Sequence, residues 1–379
     1  MSVSLRRSPI TSRGQVPTAG RIVVKVGSSS LTSIGGGIDE AALTRLSYTL
    51  AAAKLTGQEI ILVSSGAIAA GLAPLGLTRR PRDLASQQAA AGVGQGLLMA
   101  RYTRAFGEHG IITGQVLLTA DDLIRRTQYQ NAHRSLTRLL ALNVLPIVNE
   151  NDAVATHEIR FGDNDRLASL VAHLAHADLL ILLSDVDALY DGPPADGAQR
   201  IPEVHGPADL EAITIGTTGA AGVGTGGMAT KVQAATMAAA NGIPALVTST
   251  AYAAAALGGD PVGTWFHTTG NRHPIRLMWL AHLADIRGRL VLDDGAVRAV
   301  RDRRRSLLPA GIVDVTGRFA SGDPVELTDR RGEVIARGLV NYDSEELPQM
   351  LGRTTFELGE ELGQDYERVV VHVNDLVLA

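Results

Sequence analysis

A chain of 379 residues with 45% apolar side chains is long enough for two domains and supplies ample material for a core. It contains no cysteine, which excludes disulfides, thiolate zinc centres and cysteine nucleophiles, and its formal net charge of −4 gives it no general attraction to phosphate backbones. No apolar run approaches the roughly 20 residues of a membrane helix; an ordinary reducing compartment suffices, and a cytoplasmic location is expected.

The first twenty residues (MSVSLRRSPITSRGQVPTAG) are basic, hydroxyl-rich and free of acids. Pro9, Gly14 and Pro17 deny them an amphipathic helix, so a disordered tail over residues 1–20 is expected. Residues 21–27 (RIVVKVG) read as a short buried strand, interrupted by Lys25 and stopped by Gly27. Lys and Arg total 35, yet lysine occurs only at 25, 54 and 231. A chain that uses arginine almost everywhere keeps lysine where a compact ammonium is needed and a planar guanidinium does not fit. Lys25 has no acid nearby in sequence, so its ammonium should emerge near the strand end; a snorkelling edge-strand lysine is the plainer account. Lys54, in a helical stretch, reads as a surface residue without a role.

A helix over 39–54 is followed by a strand over 59–64 that runs into the small-residue turn Ser65, Gly66, Ala67. Such a turn leaves backbone N–H groups at a helix start, suited to an anion or a substrate carboxylate, although tight strand-to-helix packing asks for the same residues. The pattern then predicts a long helix over 84–106, a strand over 111–117, a helix over 128–142 and a strand over 144–148.

The next stretch, VNENDAVATHEIRFGDNDR over 148–166, carries two polar clusters: Asn149, Glu150, Asn151 and Asp152, then Asp163, Asn164 and Asp165. Polar groups directly after an apolar strand occupy the place where an open α/β sheet puts its ligand groups. A solvated loop would explain one such cluster; two are harder to explain that way. A helix over 167–175 and a strand over 178–183, ending in Ser184 and Asp185, come next. His173 and His176 share a helix face without an evident third ligand and read as structural.

Residues 222–231 (GVGTGGMATK) precede a helix over 232–241 and a strand over 243–248. Gly222, Gly224 and Gly227 formally satisfy G-x-G-x-x-G. The dinucleotide reading fails its context, because no clear strand precedes the glycines and no acid follows about 20 residues on. No Gly-Lys dipeptide occurs, so it is not a Walker loop. A glycine loop that brings a lysine and a helix start together suits phosphate, with amides around the oxygens and an ammonium against their charge.

From about residue 286 short strand-like runs (289–292, 312–316, 324–327, 334–340, 369–373) alternate with turn residues. The expected fold is therefore α/β: an open, mostly parallel sheet sandwiched by helices over residues 21–275, followed by a small β-rich domain over 286–379.

The blocks VKVGSSSL, SSGAIAAG, NENDAVAT with the following GDND, LLSD, and GTGGMATK stand in the order found in the bacterial glutamate 5-kinases, amino acid kinases with a C-terminal PUA domain. The chain resembles that family from Arg21 onward, and SLLPAGI and VTGRF extend the likeness into the second domain. The resemblance implies transfer of the ATP γ-phosphoryl group to the side-chain carboxylate of L-glutamate, the first step toward proline. By the same resemblance Lys25 and Lys231 hold the β- and γ-phosphates, Gly27 and Gly66 lend amides, and Asp165 orients the lysines. Ser65, Gly66, Asp152 and Asn164 match the glutamate site; Ser184, Asp185 and the loop Thr225, Gly226, Gly227, Met228, Ala229, Thr230, Lys231 match nucleotide contacts. Mg2+ accompanies ATP, held mainly through phosphates, with Asp163 or Asp165 reaching it through water and no direct ligand assigned. The family carries Thr where Ser64 and Ser184 stand, and Ser or Thr in place of Ala229; neither change removes a charge. Feedback inhibition by proline at or near the glutamate site and assembly into a dimer or tetramer are implied by the family alone; residues 153–162, between the two polar clusters, are where substrate or proline is expected to be sensed.

Two other readings compete. Another amino acid kinase would act on acetylglutamate, aspartate, carbamate or a nucleotide, and the NENDAVAT block with the appended β domain favours glutamate over these. An RNA-binding protein is suggested by Arg301, Arg303, Arg304 and Arg305, but residues 286–379 hold 13 arginines against 17 acids, which argues against RNA binding by the second domain.

Overall fold

Runs of Val, Ile and Leu build the central sheet of the first unit: β1 (Arg21–Val26), β2 (Glu59–Ser64), β3 (Thr113–Leu118), β4 (Leu145–Glu150) and β5 (Leu179–Ser184). A ribbon of β6 (Leu189–Tyr190) and β7 (Arg200–Ile201) follows, then β8 (Glu203–Val204), β9 (Ala245–Ser249) and β10 (Thr264–Phe266). The helices are α1 (Glu40–Leu55), α2 (Ala67–Leu72), α3 (Leu84–Gly107), α4 (Arg126–Ala141), α5 (Asn164–Leu174), α6 (Ala208–Glu211), α7 (Met228–Ala240) and α8 (Ala253–Gly258). These elements come from a computed structural model that describes residues 9–32, 37–119, 122–123, 126–154, 164–192, 197–211, 227–270, 277, 280 and 286–378. It divides into two compact units, Met1–Arg272 and His273–Ala379.

Among the described residues the main sheet has the order β3-β4-β2-β1-β5-β9-β10-β8, parallel throughout except where β10 runs against β9. β1 is thus a central strand. Alternation along it divides its side chains: Ile22, Val24 and Val26 join Leu43, Leu46 and Leu50 of α1 and Leu98 and Tyr102 of α3 in one buried cluster. Val23 and Lys25 point to the other face, against which α5 and α7 pack. Local capping fixes the frame, since Asp178 Oδ2 accepts from the amides of Gly20 and Arg21 at 2.8 Å each. Asp39 caps α1 by accepting from Ala42 N at 2.9 Å.

The second unit is a five-stranded sheet of β11 (Gly288–Leu292), β12 (Ile312–Gly317), β13 (Pro324–Thr328), β14 (Val334–Val340) and β15 (Val371–Leu378), in the order β12-β11-β13-β14-β15. With α9 (Asp294–Arg301) and α10 (Thr355–Leu362) it encloses its own core around Leu290, Leu327, Tyr342 and Met350. The expected architecture, a mostly parallel α/β sheet between helices followed by a β-rich unit, is the one observed. No helix among the described residues is long and apolar enough to cross a membrane.

Three expectations need correction. The N-terminal segment is not a disordered tail from residue 9 onward: Arg13–Thr18 forms a 3-10 turn, and Ile10, Val16 and Ala19 are buried in the main core. A 3-10 turn tolerates Pro17 where an amphipathic α-helix does not. Its anchors are distant in sequence: Gln58 Nε2 donates to Val16 O at 3.0 Å, and Arg13 Nε to Val262 O at 3.2 Å. Lys54 is not a surface residue either; it is 8% exposed and donates to Asn143 Oδ1 at 2.9 Å. Finally, α5 and α7 begin earlier than expected, so that Asn164, Asp165 and Lys231 lie in first helical turns instead of loops.

Helices α2 and α3 meet backbone to backbone. A Cβ at Gly71 would fall under 3.0 Å from Ala90 O, and one at Gly94 under 3.0 Å from Ala67 O and Gly71 N, distances that real Cβ atoms do not show. Because backbone cannot rotate away as a side chain can, Gly94→Ala should cost about 3 kcal/mol. Thermal denaturation would read this as a lowered Tm, and an unchanged Tm would refute the tight crossing. The turn before α2 is made at Gly66, with φ +110, a conformation that favours glycine.

Candidate active site

Parallel pairing places the ends of five strands in one row. Val26 pairs with Ser64 and Leu183, Val63 with Val148, and Ser184 with Ser249. The segments that follow these ends therefore line one edge of the sheet: Gly27, Ser65 and Gly66, Asn151 and Asp152, Ser184 and Asp185. This is the crevice where open α/β sheets hold their ligands.

At the centre of the row stands a buried charge cluster. Lys25 Nζ lies 2.5 Å from Asp165 Oδ1, and Lys231 Nζ lies 3.1 Å from Asp165 Oδ2. Thr230 Oγ1 donates to the same Oδ2 at 3.0 Å. Asp165 is fully buried, and Lys25 and Lys231 are 3% and 5% exposed. Three elements supply the cluster: the penultimate residue of β1, the first turn of α5 and the first turn of α7. Lys25 thus lies near the strand end, as the sequence suggested, but its ammonium is buried there and β1 is not an edge strand; its partner lies 140 residues away.

Burial alone would push the Asp165 carboxyl up, but the ammonium groups of Lys25 and Lys231 outweigh it and hold the group below the usual carboxylate range. Two buried ammonium groups thus converge on one carboxylate, an arrangement that favours the approach of an anion. Gly27 borders it: a Cβ there would stand 3.8 Å from Lys25 Nζ. Any larger side chain would occupy the space against the ammonium.

A second network, entirely polar, adjoins the first. Asn164 Nδ2 donates to Ser65 Oγ at 3.0 Å, Ser64 O at 3.0 Å and Asn149 Oδ1 at 2.8 Å. Asn149 Nδ2 in turn donates to Gln95 Oε1 at 2.7 Å. Asn164 is therefore held by β2 and β4 directly, and Asn149 is itself held by α3. The Ser64 hydroxyl pairs with Tyr102 OH at 2.8 Å, and burial pushes that phenol up. Ser184 Oγ donates to Asp185 Oδ1 at 3.0 Å, and both residues line an open cleft of about 720 Å3 shared with Arg45, Tyr48, Ser249 and Thr250.

Of the residues singled out in the sequence, the structure joins Lys25, Asp165, Thr230 and Lys231 in one cluster and Asn164 with Ser65 in the next. Gly227 caps α7, with its carbonyl accepting from Thr230 Oγ1 at 2.9 Å; Met228 and Ala229 form the first turn beside it. Asp152 lies in the turn after β4. Asp163, Thr225, Gly226 and 155–162 lie outside the described residues. Sequence reasoning missed Gln95 and gave Asn149 no role. The one available signal was a glutamine at a helix position that the apolar pattern assigns to the interior.

Comparison with known proteins gives consistent findings. Residues 20–249 match the amino acid kinase family, and residues 288–360 match the PUA domain. The glutamate 5-kinase of Streptomyces avermitilis is 62% identical over 368 residues, covering 97% of this chain and 98% of that protein. That of Salinispora arenicola is 60% identical over 367 residues, covering 97% and 100%. Among solved structures, the carbamate kinase from Giardia lamblia bound to AMP-PNP superposes with a TM-score of 0.51 at 18% identity, covering 66% of this chain and 99% of that one. At that identity the last likeness concerns the fold alone.

Proposed function

Because the chain belongs to the amino acid kinase family, within its glutamate 5-kinase branch, we propose that this site transfers the γ-phosphoryl group of ATP to the side-chain carboxylate of L-glutamate. The observation that carries the reading is the buried pair of lysines sharing Asp165 at the end of the central strand. The reaction brings two anions together: a glutamate carboxylate oxygen forms a bond to the γ-phosphorus as the bond to the β–γ bridging oxygen breaks, giving glutamyl 5-phosphate and ADP. Positioning and charge neutralisation supply most of the catalysis in such transfers.

In this reading Lys25 and Lys231 hold the β- and γ-phosphate oxygens and stabilise the charge that spreads over the transferring group. Asp165 keeps the two ammonium groups, which would otherwise repel each other, on one target. The amides of Gly27 and Gly66 add donors at the same oxygens. Asn164, fixed by Asn149 and Ser64, and Ser65 take the glutamate, with Asp152 accepting from its α-ammonium. Ser184, Asp185 and the segment from Thr225 to Lys231 receive the nucleotide.

ATP brings a divalent cation to such a site, Mg2+ in this reading. Asp165 does not fit direct ligation, since its two oxygens face the two ammonium groups and the Thr230 hydroxyl. Mg2+ tolerates this well, because it keeps several waters and binds largely through phosphate oxygens. Proline inhibition at or near the glutamate site and assembly into a dimer or tetramer belong to the same proposal and rest on the family relationship.

The deciding experiment traps acyl phosphate with hydroxylamine while ADP release is followed, with glutamate, aspartate, N-acetylglutamate and carbamate offered in turn, and glutamate repeated with proline. Glutamyl hydroxamate formation that proline suppresses is expected. Turnover with aspartate or carbamate and silence with glutamate would overturn the assignment.

A further inference from the structure

At the far edge of the main sheet, away from the lysine pair, two histidines and a glutamate converge. Residues 203 and 205 are two apart at the end of β8, so their side chains share a face. β8 pairs in parallel with β10, with Trp265 opposite Glu203 and Phe266 opposite Val204. The next residue, His267, therefore stands opposite His205, and its amide donates to Val204 O at 2.9 Å.

The side chains follow the backbone. The two imidazoles stack with centroids 4.2 Å apart and planes 12° from parallel. His267 Nε2 lies 2.9 Å from Glu203 Oε2, and His205 Nε2 lies 3.6 Å from the same oxygen. One donor atom from each residue falls within 4.8 Å of the other two. Neighbours fix all three residues: Glu203 Oε1 is held by Arg13 Nη1 at 3.1 Å, and Asp209 Oδ2 accepts from His205 N at 2.6 Å. The buried Trp265 ring makes a T-shaped contact with His267.

From these distances we infer that Glu203, His205 and His267 form a binding site for a divalent first-row transition ion, zinc being the best match. In tetrahedral zinc the ligand bonds of roughly 2.0–2.2 Å place donor atoms about 3.3 Å apart. The two carboxylate-to-imidazole separations, 2.9 and 3.6 Å, bracket that value. Two imidazoles and one carboxylate suit zinc, copper or nickel and disfavour magnesium, which prefers oxygen ligands. The two ring planes, 12° from parallel, do not meet at one point, so an ion requires the exposed His205 to turn off its stack on His267; the fourth position then faces solvent. Since Glu203 also anchors Arg13, an ion here ties residues 9–20 to the sheet edge. The proposal is independent of the phosphotransfer reading.

The test uses the full-length protein, stripped with a chelator and kept in excess Mg2+ so that oxygen-rich sites are filled. Zn2+ is titrated by calorimetry, and Co2+ by its visible absorption, against wild type, His205→Gln and His267→Gln. One Zn2+ per chain is expected, with a tetrahedral Co2+ spectrum, and either substitution should weaken this binding by at least about 100-fold, as loss of a direct ligand exceeds the 10- to 100-fold typical of outer-shell partners. His205 is exposed enough for its replacement to fold normally. If wild type binds no Zn2+ at micromolar concentration, or if both variants bind it as wild type does, the cluster is an ordinary histidine–glutamate ion pair and the inference fails.

Discussion

Lys231→Arg folds like the wild type and loses turnover by about 100- to 1,000-fold, the range found when one preorganised charge donor is removed from a transition state. The substitution keeps the positive charge, so the loss is a matter of shape. Lys231 reaches Asp165 Oδ2 at 3.1 Å from the first turn of α7, while Lys25 occupies the other oxygen at 2.5 Å. A guanidinium is broad and planar and pairs with both oxygens of a carboxylate at once. It would satisfy Asp165 by itself, displace Lys25 from Oδ1, and turn its donors toward the carboxylate instead of the crevice. Charge would be conserved and aim lost. Steady-state kinetics should show the fall mainly in kcat, with circular dichroism and Tm close to wild type. A rate near wild type would mean that any cation serves at this position and that the scarcity of lysine in this chain carries no information.

That scarcity is what made part of the site legible. With three lysines in 379 residues, Lys25 and Lys231 stood out, each beside glycines, and the strand and helix pattern around them placed Lys25 near a strand end and Lys231 at a helix start. Their common partner was not legible from local pattern, because Lys25 and Asp165 are brought together only when α5 packs on the face of the sheet to which Lys25 points. The same limit explains Lys54, whose partner Asn143 is 89 residues away, and the segment around Val16, which Gln58 and Val262 hold in place. Helix starts were placed late for a different reason. Asn164, Asp165 and the residues after Gly227 read as loop, yet Asn, Asp and Gly are the residues that favour the beginnings of helices. Moving them into α5 and α7 is what turns the polar clusters toward the crevice. Gln95 was hidden because a single polar residue in a long helix is usually exposed, whereas here it meets Asn149 inside the fold.

Asp165→Asn should be the most damaging single change in the cluster, costing about 3–5 kcal/mol of stability at neutral pH together with most of the turnover. The amide retains the size of the carboxylate and a hydrogen-bond acceptor, so packing is conserved and the effect is electrostatic. Lys25 and Lys231, both nearly buried, would then lose the carboxylate that pairs with both of them. The sign of the pH dependence separates this account from a packing defect. Asp165 is held below the ordinary carboxylate value, near 3.9, by the two lysines, although burial opposes them. Its stabilising contribution is therefore complete above about pH 4 and is lost as the pH falls through its lower folded-state value. Denaturant midpoints measured across pH should show a wide gap between wild type and Asp165→Asn near neutrality that narrows as pH falls below about 4, where the wild-type carboxyl itself takes up a proton. A gap of constant width would assign the loss to packing. The expected narrowing would tie stability and phosphate binding to one carboxylate: the group that allows two ammonium ions to share a buried space is also the group that aims them.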